Sequence, residues 1–130
     1  MVSKKLNERK LLRIVIKAAA EKKAEDITII DLRKLNFDIC DYFVICTAIS
    51  KIHCDTIKEN IRFYVKKHLN ILPYSEEGVE NLYWVILDYL DVVVHIMQKK
   101  AREYYNLEEH WKEGKIVKYE KGKTKVKDKI

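Results

Sequence analysis

Residues 82–97, LYWVILDYLDVVVHIM, constrain the fold more tightly than any other stretch of the chain. Two apolar, β-branched runs broken at Asp88-Tyr89-Leu90-Asp91 read as a pair of strands joined by a short turn. Strict alternation puts Trp84, Ile86 and Asp88 on one face of the first strand, and Asp91, Val93, His95 and Met97 on one face of the second. The opposite faces carry Val85 and Leu87, then Val92, Val94 and Ile96, and suit a core. The first faces mix large apolar surface with two carboxylates and an imidazole. That mixture fits contact with a cationic protein surface better than it fits catalysis.

The rest of the chain supplies partners for this hairpin. Leu11, Leu12, Val15, Ile16 and Ala19 recur at helical spacing and predict a first helix over 7–22. DITIIDL at 26–32 predicts a strand, RKLNFDI a polar connection, and DYFVICT at 41–47 a second strand. That second strand is apolar on both faces, so it is expected at the sheet centre with helices on each side. Ser50 is the expected N-cap of a helix over 51–69, with Asp55 near its start favoured by the dipole. Its apolar stripe reads Ile57, Ile61, Tyr64 (or Val65) and His68. Pro73, the one proline, places ILPYS at an edge strand or its approach, and Gly78 marks a turn. A last helix is expected over 99–111, with Tyr104, Leu107 and Trp111 along it. This order predicts a single α/β domain, a mixed sheet of about five strands flanked by helices.

Charge is unevenly spread. Of the net +6, residues 112–130 supply +5, from eight lysines against Glu113, Glu120 and Asp128, which leaves +1 for the body. The expected organisation is a domain over 1–112 followed by a flexible lysine-rich tail over 113–130. Such a tail is either a solvated end or a loose contact for RNA phosphates. No run of roughly 18 apolar residues predicts a membrane span, and no apolar segment follows the charged N-terminus as a signal peptide requires. Cys40, Cys46 and Cys54 form neither a disulfide framework nor a C-x-x-C pair, so reduced thiols and a cytoplasmic location are expected.

Motifs for chemistry are sparse. Cys40, Cys46, His53 and Cys54 have no common zinc spacing, and buried structural cysteines are expected instead. Neither Ser50 nor Ser75 lies in a nucleophile elbow, and three glycines, Gly78, Gly114 and Gly122, write no phosphate-binding loop. Asp88-x-x-Asp91, with Asp31 or Asp41 as a third carboxylate, is the one candidate for Mg²⁺. The other readings of this pair are a solvated turn and a contact for a partner's cations. His95 reads as a hydrogen-bonded structural histidine or a site residue, and Trp84 as core or as an interface anchor.

Four ordered blocks then carry a resemblance: D-Y-F-V-I-C-T-A-I-S from Asp41 to Ser50, Glu77-Gly78, W-V-I-L-D-Y-L-D-V-V-V-H from Trp84 to His95, and Arg102, Tyr105, Leu107, Glu108 and Trp111 in R-x-x-Y-x-L-E-x-x-W. Over about residues 6–112 the chain resembles the ribosomal silencing factor, or Iojap, family. The resemblance implies a fold similar to nucleotidyltransferases without their catalytic residues, no enzymatic activity and no cofactor. It implies a cytoplasmic translational repressor, a homodimer when free. Such a factor binds the large ribosomal subunit through its ribosomal protein fourteen and blocks joining of the small subunit when nutrients are short. The partner-binding residues it implies are Glu77, Trp84, Asp88, Tyr89, Asp91, His95, Arg102 and Tyr105, with a ribosomal RNA contact open to the tail. Ala48 and Leu90 stand where the family has glycine, and His110 where it has leucine. The readings that compete with this one are a metal-dependent nucleotidyltransferase-like enzyme and an RNA-binding module acting through the tail.

Overall fold

A computed structural model describes residues 4–35 and 40–120. Along the chain run α1 (Lys4–Glu21), β1 (Glu25–Asp31), β2 (Tyr42–Ala48), α2 (Lys51–Leu69), β3 (Ser75–Glu77), β4 (Trp84–Asp88), β5 (Val92–Gln98), α3 (Lys99–Tyr105), α4 (Leu107–His110) and β6 (Lys115–Lys118). They form one six-stranded mixed sheet in the order β3-β4-β5-β2-β1-β6. Only the central β2–β5 pair is parallel. β2 is buried along its whole length, as a strand apolar on both faces must be.

The two faces are roofed unequally. α1 and α2 cover the first face, where Val15, Ile29, Val44, Ile57, Ile61, Leu87, Val94 and Ile96 are fully buried. α3 and α4 cover part of the second face, over Ile30, Phe43, Ile45, Val93 and Met97. α2 has the expected bounds: the Ser50 hydroxyl accepts the His53 N–H, and Asn70 ends the helix in the left-handed conformation. On its stripe Cys54, Ile57, Ile61 and Val65 are buried, while Tyr64 is half-buried and His68 exposed.

Two expectations need correction. First, the start of the lysine-rich tail is sheet. β6 pairs with β1 from Thr28↔Lys118 to Asp31↔Lys115, and Val117 enters the core. Its short, half-charged pattern reads as tail because one buried residue in four leaves almost no alternation. Residues 121–130 of that tail, like 36–39 of the polar connection, lie outside the described residues. Second, the last helix is broken. Asn106 adopts φ +42, a conformation asparagine tolerates, so α4 turns away from α3. Leu107 and Trp111 fold onto the sheet while Tyr104 stays 81% exposed. The two positions where the family has glycine differ. Leu90 does take positive φ, at +72, whereas Ala48 is ordinary strand.

The turn before β4 depends on Gly78. It sits at φ +76, and a Cβ built there would lie 1.9 Å from the Trp84 carbonyl oxygen. Gly78→Ala is expected to cost at least about 2 kcal/mol and to loosen the start of β4. Urea unfolding checks this, and a loss below about 0.5 kcal/mol contradicts the close approach.

Candidate functional site

The half-covered second face of the sheet is where the unusual side chains collect. Register places Trp84 opposite Met97, Ile86 opposite His95 and Asp88 opposite Val93, so the alternation expected along the hairpin holds through both strands. Trp84 and Ile86 are half-buried at the open side of α3. The Trp84 indole lies against the Tyr105 ring, centroids 4.7 Å apart, and Tyr105 is 41% exposed. Glu77 pairs with Ile86, and Ser75 with Asp88, across the β3–β4 ladder. Cross-strand neighbours share a face, so Glu77 and Asp88 border the apolar centre.

His95 fixes the indole from below. Its Nδ1 accepts the Trp84 Nε1–H at 3.1 Å. The ring must therefore carry its proton on Nε2, which is buried with no hydrogen-bond partner among the described residues. Phe43 packs edge-on against the imidazole at 4.9 Å, and Trp111 edge-on against Phe43 at 5.3 Å. Burial in this aromatic stack pulls the His95 pKa down to about 4. His95 is thus a neutral acceptor that positions Trp84, with only 6% of its own surface exposed.

Arg102 is placed inside the fold, not at the contact surface that the resemblance implies. Its Nη1 donates to the Asp26 carbonyl and, at 3.0 Å, to Thr47 Oγ1. Its Nη2 donates to Thr28 Oγ1 at 2.8 Å and to Glu108 Oε2 at 2.9 Å. One guanidinium thereby ties α3 and α4 to β1 and β2. Asp26, at φ +47 in an irregularity of the β1–β2 ladder, turns its carbonyl toward the guanidinium. Lys118 of β6 joins the same group through Asp26 Oδ1 and Thr28 Oγ1, at 3.2 and 3.1 Å. Asp26, Thr28 and Thr47 escaped the sequence reading. Their signal was small polar side chains on strands otherwise destined for the core.

Two more expected site residues lie elsewhere. Tyr89 is 6% exposed and packs in the core beneath α1 and α2. Asp91 precedes β5, so strand alternation does not govern it. Its carboxylate groups with those of Glu8 and Asp41 instead. Asp88 turns inward on its own loop, its Oδ1 accepting the Leu90 N–H at 2.8 Å. Asp88 is not a member of that carboxylate group, and one of its oxygens is already spent on its own turn. Asp31 is committed to Arg33 by two hydrogen bonds of 2.9 and 2.7 Å. Burial raises the Asp31 pKa, but the Arg33 contacts outweigh it and hold it below the ordinary value.

Among the described residues, Glu8, Asp41 and Asp91 are the only group with metal-ligating atoms within 4.8 Å of one another. An all-oxygen set suits a hard cation such as Mg²⁺ or Ca²⁺. Glu8 and Asp91 also have other contacts within the chain. The three cysteines do not form one group: Cys46 and Cys54 neighbour each other in the core under the helices, and Cys40 lies on the opposite face. Burial pushes the thiols up, to about 12 for Cys46 and about 11 for Cys54. The Cys40 thiol is also pushed up to about 12, by burial first and then by Asp88, Asp41 and Asp91, which marks this end of the sheet as acidic. His53 spends both ring nitrogens on the Ile49 N–H and the Lys22 carbonyl.

The arrangement is that of an α/β domain offering a sheet face with an aromatic centre and a carboxylate border. The family model described as "Ribosomal silencing factor during starvation" matches residues 5–130. The ribosomal silencing factor of Bacillus subtilis is 33% identical over 112 residues, spanning 86% of this chain and 93% of that protein. A chloroplastic Iojap protein of Zea mays is 36% identical over 95 residues, 73% of this chain and 40% of that protein. A crystal structure from Bacillus halodurans superposes with TM-score 0.73 at 31% identity, covering 85% of this chain and 99% of the other. One from Chromobacterium violaceum gives TM-score 0.76 at 27% identity, with coverages of 80% and 85%. This chain belongs to the ribosomal silencing factor family.

Two outcomes follow from the buried groups. The unfolded chain takes up a proton on His95 near pH 6.5, the folded chain only near 4, so stability is full above pH 6.5 and falls as pH drops toward 4. Between about pH 7.5 and 5 the loss from this residue is about 2 kcal/mol. Urea unfolding of the parent and His95→Gln is expected to show that difference in pH dependence; parallel curves contradict it. Arg102→Ala leaves Glu108, Thr28 and Thr47 without their shared donor and is expected to cost about 3–5 kcal/mol. A cost under about 1 kcal/mol in chemical unfolding shows that the guanidinium does not hold α3 and α4.

Proposed function

We propose that this chain is a translational repressor that docks on the large ribosomal subunit through ribosomal protein fourteen and blocks joining of the small subunit under nutrient limitation. The observation that carries the reading is the Trp84–Tyr105 face. It is a half-buried aromatic pair, held by His95, beside Ile86 and bordered by Glu77 and Asp88. Tryptophan and tyrosine are the residue types whose truncation most often costs binding energy. Carboxylates around them complement a basic ribosomal protein and speed encounter with it. The relatives named as silencing factors support the regulatory role.

No chemical step is needed for repression. Subunit joining requires two large surfaces to meet, and a rigid domain seated on one of them excludes the other by volume. Effectiveness then depends on occupancy alone, set by affinity and concentration. In this reading the factor acts in the cytoplasm, is a homodimer when free, and needs no cofactor. Among the described residues no helix is long and apolar enough to cross a membrane.

The enzymatic alternative lacks support from the carboxylates, since Asp88 and Asp91 point to different groups. The tail-driven alternative is weakened at one end, because Lys115 and Lys118 lie in β6. Sedimentation of mixed ribosomal subunits with and without the chain tests the proposal: excess chain is expected to deplete joined particles. Trp84→Ala is expected to weaken binding to free large subunits by about 2 kcal/mol, roughly 30-fold, with a cooperative unfolding transition retained. Unchanged binding by that variant assigns the contact to another face.

A further inference from the structure

The side of the sheet turned away from Trp84 carries a groove of about 550 Å³ between α1 and α2. We propose that this groove is a second binding surface, for the phosphate backbone and bases of single-stranded RNA. The inference does not depend on what the Trp84 face binds.

One wall is a stripe of cations. Lys10, Arg13 and Lys17 line the groove from α1 at helical spacing, about one turn apart. Among the described residues none of the three has an ion-pair or hydrogen-bond partner. Several surface cations elsewhere are matched within the chain: Lys58 by Asp55, Arg62 by Glu59 and Glu76, Lys112 by Glu109 and Lys118 by Asp26. Like charges one turn apart destabilise a helix slightly, so folding does not account for an unmatched stripe. The one carboxylate in the lining, Glu21, is drawn to the far wall by Asn60 Nδ2 at 3.2 Å and the Tyr64 hydroxyl at 3.5 Å.

The other wall is planar. Tyr64 and His68 stack with centroids 6.0 Å apart and planes within 8°. Beside this wall, outside the groove's lining, Phe63 lies edge-on to Tyr64 at 5.2 Å and is 59% exposed, with Lys67 Nζ 5.9 Å from the centre of the Phe63 ring and 6.0 Å from that of Tyr64. The negative end of the α2 dipole is offset by Lys66 and Lys67 in its last turn. Cations facing flat rings across a trough, with a further exposed ring at its side, are what single-stranded nucleic acid needs: charge for phosphates, and flat faces on which bases stack without sequence preference. An acidic protein partner would use the cations and leave the rings idle.

The test is fluorescence anisotropy of the full chain with a labelled single-stranded oligouridylate, between about 50 and 200 mM salt. The triple variant Lys10→Gln, Arg13→Gln, Lys17→Gln is expected to bind at least tenfold more weakly. Its slope of log affinity against log salt should shrink by about 2, from three lost phosphate contacts at about 0.7 each. Phe63→Ala is expected to lose about fivefold with the slope unchanged. Trp84→Ala is expected to bind RNA like the parent, which separates this surface from the ribosomal-protein face. All substitutions but Trp84→Ala fall at exposed positions, and each variant is expected to keep a cooperative thermal unfolding transition. No binding by the parent overturns the proposal, as does a triple variant with parental affinity and slope. So does displacement of the RNA by polyglutamate at equal charge, which assigns the groove to an acidic protein.

Discussion

The Arg102 guanidinium decides which part of the sheet is covered and which is left open. Among the described residues it is the one cation that reaches from the short helices α3 and α4 back to β1 and β2, and it is buried with four polar partners. Burying an unpaired guanidinium is prohibitive, whereas a fully satisfied one fixes geometry. Glu108 on α4 closes the network, so the break at Asn106 and the ion pair act together. The break turns α4 inward, and the pair holds it there. Trp111 can then rest on Phe43, Phe43 on His95, and His95 can hold Trp84. The exposed indole edge is the last member of a chain that starts at a buried charge.

That chain explains why a face rich in aromatic surface need not collapse. Trp84 is pinned by a hydrogen bond to a histidine kept neutral by burial, and flanked by Tyr105. A side chain ordered before binding loses less rotamer freedom on binding, so more of its contact energy appears as affinity. The acidic end of the sheet, where the charges of Asp88, Asp41 and Asp91 add to burial in raising the Cys40 pKa, adds electrostatic preference without occupying the apolar centre.

Much of this was legible in the chain. The two faces of the β4–β5 hairpin, the double-sided burial of β2 and the bounds of α2 came from alternation, β-branched content and one capping serine. What escaped were features decided by contacts distant in sequence. β6 is four residues with one buried side chain, and it forms because β1 offers an open edge. Asn106 looks like any polar helix residue until the Arg102 network bends the chain there. Tyr89 and Asp91 lie in a turn, where strand alternation stops, so their faces were set by the core and by Glu8 and Asp41. Arg102 matched a family motif, but a motif does not say whether a cation points out to a partner or in to its own fold.

Hydroxyl-radical footprinting of the chain on free large subunits addresses the central claim most directly. Trp84, Tyr105 and Ile86 are expected to lose reactivity on binding, while Phe63 on the far side stays reactive. Undiminished oxidation of Trp84 and Tyr105 in the bound state would show that the aromatic sheet face is not what grips the ribosome.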